Sequence, residues 1–220
     1  MKALILDGSD YGDEILTVAH NIIKDKLESN GLLSRSIVLR SSNISPCMGC
    51  FDCWLKTPGT CVINDSARNI TNIAVESDIW FFLTPMRFGG YSSNLKKAVD
   101  RLLPIFVPVF TRVGGEVHHR LRYEKHPILI GIGHDEDGSE DKAEMFKKLI
   151  SRNAINFRSP YQKAGLLLSS YTEKNVATEV NNILDKIAKD CFLSTAKATV
   201  SRGVNNCCFV IVSSNIGIPN

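Results

Sequence analysis

Four cysteines crowd into one short stretch of this chain. Cys47, Cys50, Cys53 and Cys61 follow the spacing C-x2-C-x2-C-x7-C, within Pro46-Cys47-Met48-Gly49-Cys50-Phe51-Asp52-Cys53-Trp54 and Gly59-Thr60-Cys61. Three thiolates at three-residue steps can converge on corners of one compact site, and a fourth returns after the Pro58-Gly59 turn. Iron–sulfur clusters are often held by such closely spaced runs. Structural zinc favours two separated C-x2-C knuckles, which the chain lacks. Small buried thiols or a labile disulfide need no metal at all. Spacing alone therefore leaves iron–sulfur, zinc and no metal open. A second stretch with chemical potential is Thr84-Pro85-Met86-Arg87-Phe88-Gly89-Gly90-Tyr91-Ser92-Ser93. Its two glycines lie beside aromatics, so backbone amides there can approach a flat ligand closely. The same residues also suit a strand-to-helix turn capped by Ser92 or Ser93.

Other polar groups carry weaker signals. Gly131-Ile132-Gly133-His134 places a histidine after a glycine pair, where it can meet a ligand edge or simply face water. Asp135-Glu136-Asp137 reads as a solvated acidic turn. His118-His119 has no matching carboxylate constellation that would make a metal pair. No Ser-His-Asp or paired-carboxylate pattern stands out along the chain, which leaves spatial assembly to the fold.

The elements that must position these groups alternate. Ala3–Leu6 is a short apolar run ending at Gly8, and Ile15, Leu16, Val18, Ala19, Ile22, Ile23 and Leu27 then recur at helical spacing up to Gly31. Further strands are expected at 36–39, 78–83, 128–133 and 163–168, with helices at 69–76, 92–103, 141–153 and 173–192. The stretch 104–123 reads as irregular, and Cys207–Val212 as an extra strand. Apolar strands alternating with amphipathic helices predict a parallel sheet covered on both faces. Five such units give an α/β, doubly wound, flavodoxin-like or Rossmann-like sheet, with ligands beyond the carboxyl ends of the strands. The loops there are 8–14, 43–65, 84–93 and 133–140.

Composition bounds the rest. With 220 residues, 44% of them hydrophobic, the chain is long enough for one sizeable core. Twenty-six basic against 23 acidic side chains leave a net charge of +3, too slight for a nucleic-acid partner. The apolar runs fall far short of the ~20 residues of a membrane span, and the N-terminus reads as a buried strand and not as a leader. Seven cysteines without an export signal imply a reducing, cytoplasmic setting.

Taken together, two motifs carry a resemblance. Thr-Pro-x-x-Phe-Gly-Gly-Tyr-Ser-Ser-x-Leu-Lys-Lys-x-x-Asp-Arg, residues 84–101, resembles the flavin-ring loop of the NADPH-dependent FMN reductase and iron–sulfur flavoprotein group. Pro-Cys-x-Gly-Cys-x-x-Cys-Trp, followed by Pro-Gly-x-Cys-x-x-x-Asp, is similar to the cysteine motif of the iron–sulfur flavoproteins and their cluster-free relatives. The resemblance covers about residues 1–192. It implies a flavodoxin-like FMN-binding domain over 1–200, with the cysteine loop at 44–65 and a C-terminal arm at 201–220. FMN contacts are implied at Gly8, Ser9, Thr84, Pro85, Met86, Arg87, Phe88, Gly89, Gly90, Tyr91, Gly133 and His134. Ligands to a [4Fe–4S] cluster are implied at Cys47, Cys50, Cys53 and Cys61. NAD(P)H would be a transient co-substrate. The partners would be a small-molecule electron acceptor or a ferredoxin-like donor, in a homodimer or tetramer.

Two departures stand against the family pattern. Gly8-Ser9-Asp10-Tyr11-Gly12-Asp13-Glu14 sets three carboxylates where the family places Arg and hydroxyl residues for the FMN phosphate. Arg87 stands where relatives commonly have Tyr. The acidic loop motivates a rival expectation, a binding module that has kept the fold, lost flavin and works in assembly or thiol/metal sensing.

Overall fold

The computed structural model describes the backbone of residues 1–198 and the side chains up to Ile187; the expected strand Cys207–Val212 and the arm 201–220 lie outside the described residues. Five parallel strands form the main sheet: β1 (Lys2–Asp7), β2 (Leu33–Val38), β3 (Ile79–Pro85), β6 (Ile128–Asp135) and β7 (Gln162–Leu168). Their spatial order is β2-β1-β3-β6-β7, the flavodoxin-like winding that the strand–helix alternation predicts. Every residue of β3 is buried, as a central strand covered on both faces requires.

Because side chains alternate across a strand, the apolar runs feed two separate cores. Leu4, Leu6, Trp80, Phe82 and Leu129 pack beneath α3 (Ser66–Glu76), α4 (Ser93–Asp100) and α5 (Glu140–Asn156). Ala3, Ile5, Ile79, Phe81 and Ile130 face α1 (Glu14–Ser29) and α6 (Glu173–Ala198). α1 buries Leu16, Ala19, Ile23 and Leu27, the helical stripe visible in its sequence. A short helix, α2 (Asp52–Leu55), lies inside the cysteine loop.

The stretch 104–123 is not irregular. It forms a hairpin of β4 (Phe106–Val113) and β5 (Glu116–Leu121), joined by Gly114-Gly115 with φ of +57° and +88°. Two left-handed residues between strands are what a tight hairpin turn demands, and Gly-Gly supplies them without steric cost. Pro108 masked the pattern. It lies where the register shifts between Phe106 and Phe110, an interruption that spares the ladder a donor proline lacks. Arg152 of α5 holds the hairpin by bonding both oxygens of Glu116, at 2.8 and 2.5 Å. His118 adds bonds to Glu116 and Asn156.

Candidate functional site

The carboxyl ends of β1, β3 and β6 bring most of the expected residues together. Gly8 continues β1 by donating its N–H to the Leu83 carbonyl at 2.8 Å. A Cβ there would lie 2.7 Å from that of Leu95 and 2.9 Å from Ser92 Oγ, so only glycine fits. Ser92 caps α4 and donates its hydroxyl to the Gly8 carbonyl at 2.7 Å, while its N–H reaches Thr84 Oγ1 at 2.8 Å. Gly8, Thr84 and Ser92 thus form a locked floor beneath the loops.

In the first loop, Asp10 and Asp13 are each engaged by another element. Asp13 caps α1 by accepting from the Leu16 N–H, and its carboxylate meets His134 Nδ1 at 3.0 Å. Asp10 accepts from Arg87 at 2.9 Å. Ser9 is fully buried, and its hydroxyl accepts from Arg40 at 2.6 Å. Arg40 also lies 5.4 Å over the Tyr11 ring. Sequence reasoning missed Arg40. Its signal was position alone, since it follows the second strand at the same edge as the other loops. Among the described residues, the Tyr11 and Gly12 N–H groups and the other donors of Arg40 have no partner.

The ring-loop candidate is a tight turn. Arg87 and Gly90 exchange backbone bonds of 3.1 and 2.8 Å, and Phe88 and Gly89 take φ of +53° and +75°. Gly89 packs on α5, where a Cβ would meet that of Met145 at 2.7 Å. Phe88 has no such compensation: its ring is 90% exposed. Holding a bulky residue in the left-handed region costs about 1–2 kcal/mol, and strain of this kind concentrates at functional sites. Arg87 spans three loops by adding a 3.2 Å bond to Glu136. Its bonds to Asp10 and Glu136 hold its pKa above the usual arginine value, against some burial.

Several expected contacts serve the scaffold instead. Pro85 ends the fully buried strand β3. Met86 is buried and its N–H donates to the His134 carbonyl. Tyr91 is buried with its hydroxyl bonded to Asn153, and burial pushes its phenol well above the ordinary value. A Cβ on Gly133 would strike Met86 at 2.8 Å. His134 is neither solvated nor turned to a ligand edge: one ring nitrogen meets Asp13 and the other Ser169 Oγ at 2.9 Å. The side chains of this turn left exposed are those of Arg87 and Phe88.

The cysteine loop is anchored by a second arginine. Arg101 donates to both oxygens of Asp65 at 2.9 Å and to the Ser45 and Ile63 carbonyls. Asp65 also accepts from the N–H groups of Ser45 and Ala67, capping α3. Burial alone would raise the Asp65 pKa, but Arg101 and the two N–H donors outweigh it and hold the carboxyl below its usual range. These two residues are the last ones of the two sequence motifs, so one ion pair joins them.

Inside the loop, Cys47 and Cys50 are exposed, Cys61 is half-buried, Cys53 is buried, and all four are free thiols. Cys53 has a raised pKa, through burial first and then through the neighbouring Cys61, Cys47 and Cys50. Among the described residues no three His, Cys, Asp or Glu side chains come together so as to hold a metal ion. Phe51 and Trp54 stack at 5.2 Å, and Trp54 lies 4.8 Å from His119, so the hairpin packs against this loop.

Comparison with known proteins fits this architecture. The chain is 29% identical over 119 residues to an iron–sulfur flavoprotein of Methanocaldococcus jannaschii, a match covering 53% of this chain and 61% of that one. Its fold matches an NAD(P)H:quinone oxidoreductase of Methanothermobacter marburgensis with a TM-score of 0.63 at 10% identity, covering 83% and 92% of the two chains. An FMN-dependent NADH-azoreductase of Bacillus anthracis, solved in complex with FMN, matches with a TM-score of 0.58 at 14% identity, covering 84% and 98%. No helix of the described residues is long and apolar enough to cross a membrane. Residues 1–153 match the model of one family, and by that match the chain belongs to the NADPH-dependent FMN reductases.

Proposed function

We propose that the chain is an FMN-dependent oxidoreductase in which NAD(P)H reduces the flavin and the electrons pass to a free flavin, a quinone or a similar small acceptor. When bound, FMN supplies the hydride-accepting centre. The observation that carries the reading is the meeting of the three strand-end loops at Arg87, beside the strained, exposed Phe88. The residues present fit FMN. Asp10 is engaged by Arg87 and Asp13 by His134 and its helix cap, while Arg40 brings a cation to the first loop. Arg40 and the Tyr11 and Gly12 N–H groups would hold the phosphate, and Phe88 and Arg87 would hold the ring. Without a G-x-G-x-x-G fingerprint, the nicotinamide would stack transiently on the flavin.

The finer reading adds a [4Fe–4S] cluster at Cys47, Cys50, Cys53 and Cys61. Each iron of such a cube takes its own thiolate, and the loop supplies four free thiols at the closely spaced C-x2-C-x2-C run that such clusters use. With the cluster, a ferredoxin-like protein becomes a fitting donor. The working unit in this reading is a homodimer or tetramer.

Both parts are tested on one sample purified without oxygen, by absorption spectrum, iron and acid-labile sulfide, NAD(P)H oxidation and sedimentation. Flavin bands with about four irons per chain support both parts. Flavin with NAD(P)H oxidation and no iron retains only the reductase. A colourless protein that takes up no added FMN overturns the reading and leaves the flavin-free binding module.

A further inference from the structure

Behind the first flavin loop, three residues that lie far apart in sequence form one hydrogen-bonded line. Asp7 ends β1, His20 lies on α1 and Ser36 lies on β2. His20 Nδ1 is 2.6 Å from Asp7 Oδ2, and His20 Nε2 is 2.6 Å from Ser36 Oγ. Asp7 is buried, and its other oxygen accepts from the Ser9 N–H at 2.9 Å. Burial alone would raise its pKa, but the bonds from His20 and Ser9 prevail and keep the carboxyl ionised. An ionised Asp7 can only accept, so Nδ1 carries the proton. In neutral imidazole, Nε2 is then the acceptor and the Ser36 hydroxyl donates to it.

The fold explains why the three meet. Ile5 pairs in register with Ser36 and Asp7 with Val38, and alternation puts Asp7 and Ser36 on the sheet face covered by α1. His20 flanks the buried stripe of Leu16, Ala19 and Ile23 and is itself only partly exposed. Ser36 is exposed, on the outermost strand of the sheet. An edge strand leaves a row of backbone N–H groups free beside it.

We propose that Ser36, His20 and Asp7 form a hydrolytic centre whose nucleophile lies outside the flavin loops, acting on small, activated carboxylic esters. Nucleophile, base and orienting carboxylate stand in the order and geometry by which such triads are recognised on unrelated folds. Ser36 Oγ bonds to the ester carbonyl carbon as its proton passes to His20 Nε2. The carbon–oxygen bond to the leaving group then breaks, and that proton goes to the departing alcohol. Water repeats the sequence on the acyl-Ser36, giving its proton to His20, and releases the carboxylic acid with Ser36 restored. Edge-strand N–H groups are the available donors to the oxyanion. Ser36 and His20 are the catalytic residues, and Asp7 is a positioning residue.

Ser34 is the internal control: it lies two residues away on the same face of β2, with no histidine bonded to it among the described residues. A fluorophosphonate, which phosphonylates serine with loss of fluoride and the hydroxyl proton, is applied to the full-length protein, and labelled peptides are quantified by mass spectrometry. Labelling of Ser36 is expected to exceed that of Ser34 by roughly 100-fold, the order a positioned general base provides. In His20→Gln the ratio is expected to collapse towards one. Asp7→Asn, which keeps an acceptor but not the charge, should lower the ratio without abolishing it. Equal labelling in the parent protein, or an unchanged ratio in His20→Gln, overturns the proposal. The exposed Ser36→Ala change does not depend on refolding of the interior. If it hydrolyses p-nitrophenyl acetate at the parent rate, the proposal fails even where the histidine variant is unfolded.

Discussion

Two arginines hold the two motif loops, and they do so in opposite environments. Arg101 and Asp65 have side chains 1% and 3% exposed, in a bidentate pair that also takes in the Ser45 and Ile63 carbonyls. Arg87 and Asp10 are each 49% exposed, with Glu136 more open still. The buried pair fixes the base of the cysteine loop against α3 and α4. The exposed one ties the mouth of the strand-end loops, in water and under salt screening. Exposed pairs contribute about 0–1 kcal/mol, whereas breaking a buried pair by removing one partner costs about 3–5 kcal/mol. The cysteine loop is therefore built as a fixed part, and the flavin-loop mouth as one that can open for a ligand.

The sharpest way to break that contrast is Arg101→Met. It leaves Asp65 buried with a charge it cannot pair, and a loss of about 3–5 kcal/mol is expected in urea unfolding. Arg101→Lys keeps the charge but loses the planar fork, so it should fall between parent and Met. The pair also sets a pH response. Because the folded-state pKa of Asp65 is depressed, its contribution is complete above the unfolded value of about 3.9 and drains away as pH falls through the lower folded value. Unfolding free energies measured from pH 5 downwards should show this loss in the parent. The acid-dependent slope should be reduced in Asp65→Asn. An unchanged slope would mean that Asp65 contributes no such term.

That ion pair also marks the limit of what was legible beforehand. Strand and helix alternation gave the five-stranded sheet, because continuous apolar runs such as Ile79–Leu83 have few other ways to be buried. The hairpin carries no such run: its strands mix Val with His, Arg and Thr and are half-exposed, so the stretch reads as irregular, and Gly114-Gly115 is the turn between them. The site residues divide by chemistry. Loops at strand ends could be placed from order alone, which is why Gly8, Thr84–Tyr91 and His134 lie at one edge of the sheet. Which of their side chains face inward could not be. Gly8 and Gly133 are glycines for packing, and His134 is consumed by Asp13 and Ser169. Pairings across long separations, Arg40 with Ser9 or His20 with Asp7 and Ser36, leave no periodic trace.

A middle-sized effect tests whether the open mouth is paid for in strain. Phe88→Gly should relieve about 1–2 kcal/mol of left-handed strain while adding about 0.5–1 kcal/mol of chain entropy to the unfolded state. The net expectation is a protein more stable by up to about 1 kcal/mol. If Phe88 is held there to meet the flavin or its acceptor, the same variant should bind FMN more weakly or turn over more slowly. A gain in stability with no loss in either would sever the strain from the site. A loss of stability would mean that the exposed ring is supported in a way its 90% exposure does not reveal.

The smallest effect on stability should come from Arg87→Ala, and its value lies in where the effect appears. Both partners of Arg87 are carboxylates on other loops, so its removal frees the mouth without exposing any core. Half-exposed pairs screened by salt predict a change within about 1 kcal/mol, shrinking further in concentrated salt. A guanidinium beside a flavin ring would also stabilise the negative charge of the reduced cofactor. The flavin-loaded variant should therefore have a lower midpoint potential than the parent, measured by reductive titration. Should the potential stay the same while salt dependence of loop protection in hydrogen exchange disappears, Arg87 is a strap alone. If instead the potential falls and the loop protection is unaltered, its charge acts on the flavin and the two carboxylates merely aim it.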